Sequence, residues 1–171
     1  RRKSAPAMTG RAVLRRALGA LAGLALATVV AGQLGHFGGA APADLGVHEG
    51  RLKPPASTPN SVSSQAGLWP AGAGTDYARI EPIALRGDGP ATMARLKSIV
   101  EQMPGARIVT SRPDYLYVQF TTRWLKFVDD TEFWVDPEAS VVQVRSASRV
   151  GSGDLGVNRG RVEAIRGQLV A

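Results

Sequence analysis

The sequence predicts an α+β domain: an antiparallel sheet in the order β-α-β-β-β-β-α, with two helices on one face. Three observations carry this. Two stretches of helical period frame a run of stretches with strand period between Asp76 and Ala171. Short turn signals separate the strand-like stretches, so hairpins rather than crossovers join them. Pairing those hairpins sorts their residues into an apolar face and a charged face.

The first strand is "YARIEPIAL", whose Pro82 restricts it to an edge or a strand end. "GDGP" opens a helix, with Pro90 suited to its first turn, and Met93, Leu96, Val100 and Met103 form its apolar stripe. Pro104-Gly105 ends it. "ARIVTSR", "YLYVQFTTRW", "FVDDTEFWVD" and "VVQVRSASRV" are the remaining strands. The last helix starts near Asn158, an acceptable N-cap, and turns Val162, Ile165 and Leu169 inward.

A turn centred on Leu125-Lys126 sets Thr122 opposite Asp129 and Phe120 opposite Thr131. A turn over 137–140 sets Asp129 opposite Ser148, Thr131 opposite Ser146 and Glu132 opposite Arg145. One face then carries Leu116, Val118, Phe120, Phe127, Phe133, Val135, Val142 and Val144, and is the core face. The other carries Tyr117, Gln119, Arg123, Asp130, Glu132, Arg145 and Arg149, and is expected to be wet.

Upstream lie three further segments. Residues 1–16 form a basic tail with Arg1, Arg2, Lys3, Arg11, Arg15 and Arg16 and no acid. Residues 17–37 are uncharged apart from a neutral His36, and approach the length that spans a bilayer. Basic residues on its N-terminal side place the tail in the cytoplasm and the domain outside. The expectation is therefore a single-pass anchor in an inner membrane with the domain in the periplasm. Export after signal cleavage is the alternative, since Val29-Val30-Ala31 and Ala41-Pro42-Ala43 supply small residues. The first residue is Arg1 rather than Met, which leaves room for residues upstream. Residues 38–75, rich in Gly, Ala, Pro and Ser, read as a linker and extended arm before a domain at 76–171.

The net charge of +7 resembles that of a nucleic-acid binder, but its placement argues otherwise. Six of the 21 basic residues sit in the tail, and the other 15 nearly balance the 14 acids. No nucleic-acid partner is expected from a near-neutral domain. With no cysteine, disulfides and thiol chemistry are excluded. The two histidines, His36 and His48, precede the domain, so neither a metal site nor a catalytic triad is expected.

"GSGDLG" at 151–156 matches the glycine pattern of a dinucleotide-binding turn. Such a turn follows the first strand of a parallel βαβ unit, with an acidic residue about 20 positions on. Here it follows the last strand, so no dinucleotide and no other cofactor is expected. The candidate ligand-binding residues are instead polar groups gathered at one sheet end. Thr122, Asp129, Ser146, Ser148, Asp154 and Asn158, with Thr131, fall there beside the glycine loop. A carboxylate on a core face needs donors. Asp129 therefore either staples the last helix down or lines a small polar pocket. Arg145, Arg149 and Arg159 approach the same helix N-terminus and either receive an anion or pair with Asp130, Glu132 and Asp154. No catalytic residue is assigned, because no base and nucleophile come together. Tyr115, Tyr117, Trp124 and Trp134 either form a partner patch or underlie the arm.

"LGVHEGRLKPPASTPNSVSSQ", "RIEPI", "FVDDTEFWVD" and "VRSASRVGSGDLGVNRGRVEAIR" together resemble the domain of unknown function family 1499, from about Leu45 to Arg166. The resemblance implies a bacterial or plastid-related protein that often carries an N-terminal signal or membrane segment, and implies no catalytic residue. It also implies two cysteines in the arm, where Pro55 and Ser61 stand, and an aromatic residue where Ser152 stands. The expected function is a membrane-anchored module that binds a partner protein or small ligand, as an accessory subunit of a membrane complex. The alternative is an enzyme or carrier using the polar pocket around Asp129 for an acidic or phosphorylated ligand.

Overall fold

A computed structural model describes residues 10–170; the start of the basic tail, with Arg1, Arg2 and Lys3, lies outside the described residues, as does Ala171. In chain order the elements are α1 (Gly10–Gln33), β1 (Ser61–Ser63), a 3-10 turn (Ala66–Leu68), α2 (Ala73–Ala78), β2 (Ile83–Ala84), α3 (Gly89–Glu101), β3 (Ala106–Ser111), β4 (Tyr115–Thr121), β5 (Val128–Asp136), β6 (Val141–Ser148) and α4 (Val157–Val170). The fold is α+β. The sheet runs β1-β6-β5-β4-β3 with every pair antiparallel, and β2 shares the free edge of β6 with β1.

α3 begins as its sequence requires. The Asp88 side chain accepts the Ala91 amide at 2.7 Å, and Pro90 occupies the first turn. Met93, Leu96 and Val100 from α3 and Val162, Ile165 and Leu169 from α4 are buried together. They meet Leu116, Val118, Phe120, Phe133, Val142 and Val144 of the sheet, so both helices cover one face. Phe127 leaves this core and stacks on Phe37, ring centres 5.6 Å apart.

The β5–β6 register is the expected one, with Asp129 opposite Ser148, Thr131 opposite Ser146 and Glu132 opposite Arg145. The β4–β5 register is shifted by two residues: Asp129 faces Phe120, and Thr131 faces Val118. The connection is a wider loop over 122–127, closed by the Thr122 amide on the Phe127 carbonyl at 2.9 Å. The Thr122 hydroxyl accepts the Phe127 amide, and Lys126 takes a left-handed φ of 58°. A shift of two preserves the faces, because side chains alternate with period two.

Two expectations are corrected. "YARIEPIAL" is not one strand: Tyr77 and Ala78 end α2, and only Ile83 and Ala84 pair with β6. Pro82 has no amide to donate, so ladder pairing starts after it. The charged sheet face is not wet. Tyr117, Gln119, Asp130, Glu132 and Arg145 are buried, and Leu52 of the arm packs on Tyr115 and Tyr117 with Leu45, Val47 and Trp134 alongside. The arm also supplies β1, whose Val62 enters the core. Packing therefore begins well before residue 76.

α1 also departs from the expected 17–37 span, starting inside the basic tail and ending at Gln33. Arg11, Arg15 and Arg16 lie on its first turns. It is the one helix among the described residues long and apolar enough to cross a membrane. Leu18, Leu21, Leu24 and Leu26 are all exposed along it.

Candidate functional site

The polar end of the core face is a hydrogen-bonded cluster around Asn158, a fully buried residue on the first turn of α4. Its side-chain oxygen accepts from the Ser146 hydroxyl at 2.6 Å and from Arg161 Nη1 at 2.9 Å. Its amide nitrogen donates to Ser148 Oγ at 3.0 Å and to Asp154 Oδ2 at 2.9 Å, with the Asn60 carbonyl at 3.3 Å. Ser146 has spent its proton on Asn158, so Thr131 donates in the 2.7 Å bond between the two hydroxyls. Arg161 Nη2 donates to Asp129 Oδ2 at 2.6 Å, and its guanidinium lies 4.5 Å from the Phe120 ring centre. Asp129 therefore fastens α4 to the sheet through Arg161.

The glycine loop positions Asp154. Gly151 and Gly156 take φ values of 93° and 81°, open to glycine at little cost. Asp154 Oδ1 accepts the Gly156 amide at 3.1 Å and Oδ2 the Asn158 amide at 3.0 Å, so Asp154 caps α4 in place of the expected Asn158. The Tyr77 hydroxyl adds a 2.5 Å bond to Oδ1. Burial pushes the Asp154 carboxyl up, but these bonds together outweigh it and hold the group below its ordinary value. Tyr77 is correspondingly pushed up, first by its bond to Asp154 and then by burial. The loop follows a strand whose partners are all antiparallel, unlike the parallel setting a dinucleotide turn needs. A cleft of about 240 Å³ opens beside it, walled by Thr122, Asp129, Ser148 and Asp154 among apolar Phe127, Val150, Leu155 and Val157.

The candidate residues thus separate. Asp129, Ser146, Ser148, Asp154 and Asn158 come together, and Thr122 sits at the cleft while closing the hairpin. Arg159 instead donates to the Arg79 carbonyl at 2.9 Å and the Tyr77 carbonyl at 2.5 Å. Arg145 and Arg149 lie on the opposite sheet face, under the arm. There Arg149 grips Asp130 with two 2.8 Å bonds. The Tyr117 hydroxyl donates to Asp130 at 2.6 Å and receives Gln119, which also accepts from Arg107. Glu132 Oε1 accepts the Tyr115 hydroxyl and the Gly46 amide, each at 2.7 Å. Its Oε2 has no hydrogen-bond partner, and Arg145 Nη1 stands 3.8 Å away. Burial, only partly offset by the Gly46 amide, Tyr115 and Arg145, raises the Glu132 carboxyl. Burial likewise lowers Arg145 and raises Tyr115.

Arg161 and Tyr77 are the members that sequence reasoning missed. Arg161 stands three residues after Asn158, hence on the same helical face, a spacing that identifies it in retrospect. Tyr77 carries no local signal, since its partner is 77 positions away.

A second feature lies at the β4–β5 tip. Gln33 Nε2, at the end of α1, donates to the Arg123 carbonyl at 3.1 Å and the Trp124 carbonyl at 2.8 Å. A Cβ on Gly32 would stand 2.7 Å from the Leu125 backbone, so glycine permits this close approach. Beside the tip is an open groove of about 670 Å³ containing Arg123, Lys126 and Arg161. Among the described residues no group of three or more His, Cys, Asp or Glu side chains could hold a metal ion.

The family model described as Protein of unknown function (DUF1499) matches residues 51–169. Neither the curated proteins nor the solved structures contain a match to this chain.

Proposed function

The chain belongs to that family of unknown function, and we propose that its domain is a membrane-tethered module that faces the periplasm and binds a partner protein or small ligand, as an accessory subunit of a membrane complex. The observation that carries this reading is the docked end of α1. Its apolar side chains are exposed while Gln33 and Gly32 are seated on the 123–125 backbone. A helix with an exposed apolar surface suits lipid, and a seated end holds the domain in one orientation at the bilayer. Arg11, Arg15 and Arg16 at its other end favour the cytoplasm for that side. The networks around Asn158 and Asp130 suit a rigid binding scaffold, since Asn158, Asp154, Asp129 and Asp130 are bonded to neighbouring protein groups.

Mild-detergent extraction of the full chain, followed by affinity capture and mass spectrometry of proteins and small molecules, tests the proposal. A partner or ligand at stoichiometric yield is expected. Recovery only as a bare monomer overturns it. Protease added to spheroplasts is expected to digest the domain; full protection overturns the outward orientation.

The cleft beside Asp129 favours a second reading, an enzyme or carrier for an acidic or phosphorylated ligand. It ranks lower because Asp129 and Asp154 themselves line the cleft and would repel an anion.

A further inference from the structure

The span of α1 sets where the β4–β5 tip stands. From Ala17, after the last arginine, to Gln33, a rise of about 1.5 Å per residue gives roughly 25 Å. A bilayer's hydrocarbon core is about 30 Å thick. A span that is slightly short draws its flanking residues into the headgroup layer, and the flanking structure here includes the tip that Gln33 holds.

The tip is composed for that layer. Trp124 is 62% exposed, and Arg123 lies over its ring at 5.0 Å. Indole rings settle at the membrane interface, and long basic side chains reach from it to phosphate. Beside the tip lies the 670 Å³ groove, whose charged lining residues, Arg123, Lys126 and Arg161, are all cationic. Arg123 and Lys126 have no carboxylate partner among the described residues. Asp129, the nearby acid, is already held by Arg161 at 2.6 Å. Phe120 and Met103 give the groove an apolar side.

We propose that this groove binds the headgroup phosphate of an anionic phospholipid, with Arg123 and Lys126 as the charge contacts, Arg161 at the inner wall and Trp124 at the lipid boundary. The proposal rests on the reading of α1 as a membrane span. That location, with an exposed indole beside Arg123 on the same tip, favours a lipid over a soluble phosphate.

The test uses the full chain in an uncharged detergent, with native mass spectrometry of added phosphatidylglycerol or phosphatidylcholine. One saturable phosphatidylglycerol per chain is expected. Arg123→Gln and Lys126→Gln should each weaken it about fivefold, and the double variant roughly thirtyfold. Circular dichroism and melting should be unchanged, because neither side chain is buried. Equal uptake of the two lipids overturns the proposal, as does wild-type affinity in the double variant. Displacement of the lipid by equimolar inorganic phosphate overturns the lipid assignment. Alkaline carbonate washing of the chain in phosphatidylcholine vesicles reads the anchor separately. Retention without phosphatidylglycerol preference defeats the groove alone, and release defeats the span on which it rests.

Discussion

Each face of the sheet buries carboxylates beside arginines, and the helix-face cluster treats its charges differently from Glu132 on the arm face. On the helix face Asp129 meets Arg161 at 2.6 Å, and Asp154 is surrounded by donors within about 3 Å. On the arm face Arg145 stands 3.8 Å from Glu132, whose second oxygen has no hydrogen-bond partner. Desolvation acts on both. It is outweighed at Asp154, which is held low, and prevails at Glu132, which is raised. Burial alone therefore does not decide whether a charge helps the fold; the number and closeness of its donors do.

The difference should be widest at Asp129. Asp129→Ala leaves Arg161 nearly buried with no counter-charge, and should cost about 3 kcal/mol in urea unfolding. Asn158→Ala comes next. It removes the acceptor for Ser146 and a donor to Ser148 and Asp154, and should cost about 2 kcal/mol. A loss below about 0.5 kcal/mol in both would remove the contrast, since the helix-face cluster would then behave as loosely as the Glu132–Arg145 pair.

What could be read from the sequence follows the range of the interactions. The β5–β6 pairing was legible because a short turn and alternating side chains leave one register that buries the valines. The β4–β5 pairing slipped by two because Thr122 and Phe127 close a wider loop than the turn assumed. The faces survived, as did the cluster of Asp129, Ser146, Ser148 and Asn158. That the arm covers Tyr115, Tyr117 and Trp134 was one of two readings of those residues, but which arm residues supply the cover was hidden. Leu45, Val47 and Leu52 have no regular period, and their contacts with Tyr115, Tyr117 and Trp134 span some sixty residues or more. Arg145 and Arg149 were read on the charged face, beside Glu132 and Asp130, and the structure keeps them there; only their grouping with Arg159 at the start of α4 fails.

Asp154 tests the comparison through pH. Its carboxyl is lower in the folded chain than its ordinary 3.8, so it adds stability that is present above that value and lost as pH falls through the folded one. Asp154→Asn keeps an oxygen to cap α4 but loses the charge. It should cost up to about 1 kcal/mol at pH 7 and flatten the acid limb of a stability-against-pH curve. An unchanged acid limb would mean that the donors around Asp154 do not favour its charged form.

Glu132 should show the smallest change and the opposite slope. Its carboxyl is higher in the folded chain than its ordinary 4.5, so its contribution is present below that value and is lost as pH rises through the folded one. Ionising it works against the fold, because Arg145 at 3.8 Å does not offset the burial of the charge. Glu132→Gln keeps an oxygen for the Tyr115 hydroxyl and the Gly46 amide, and stands in for the protonated acid. The variant should equal or slightly exceed wild type at pH 7, within about 1 kcal/mol, in urea unfolding. Toward pH 4 the two curves should converge, as wild type itself takes up the proton. A loss above about 2 kcal/mol at pH 7 would reverse the assignment: the Glu132–Arg145 pair would then hold the arm to the sheet as firmly as Arg161 holds α4.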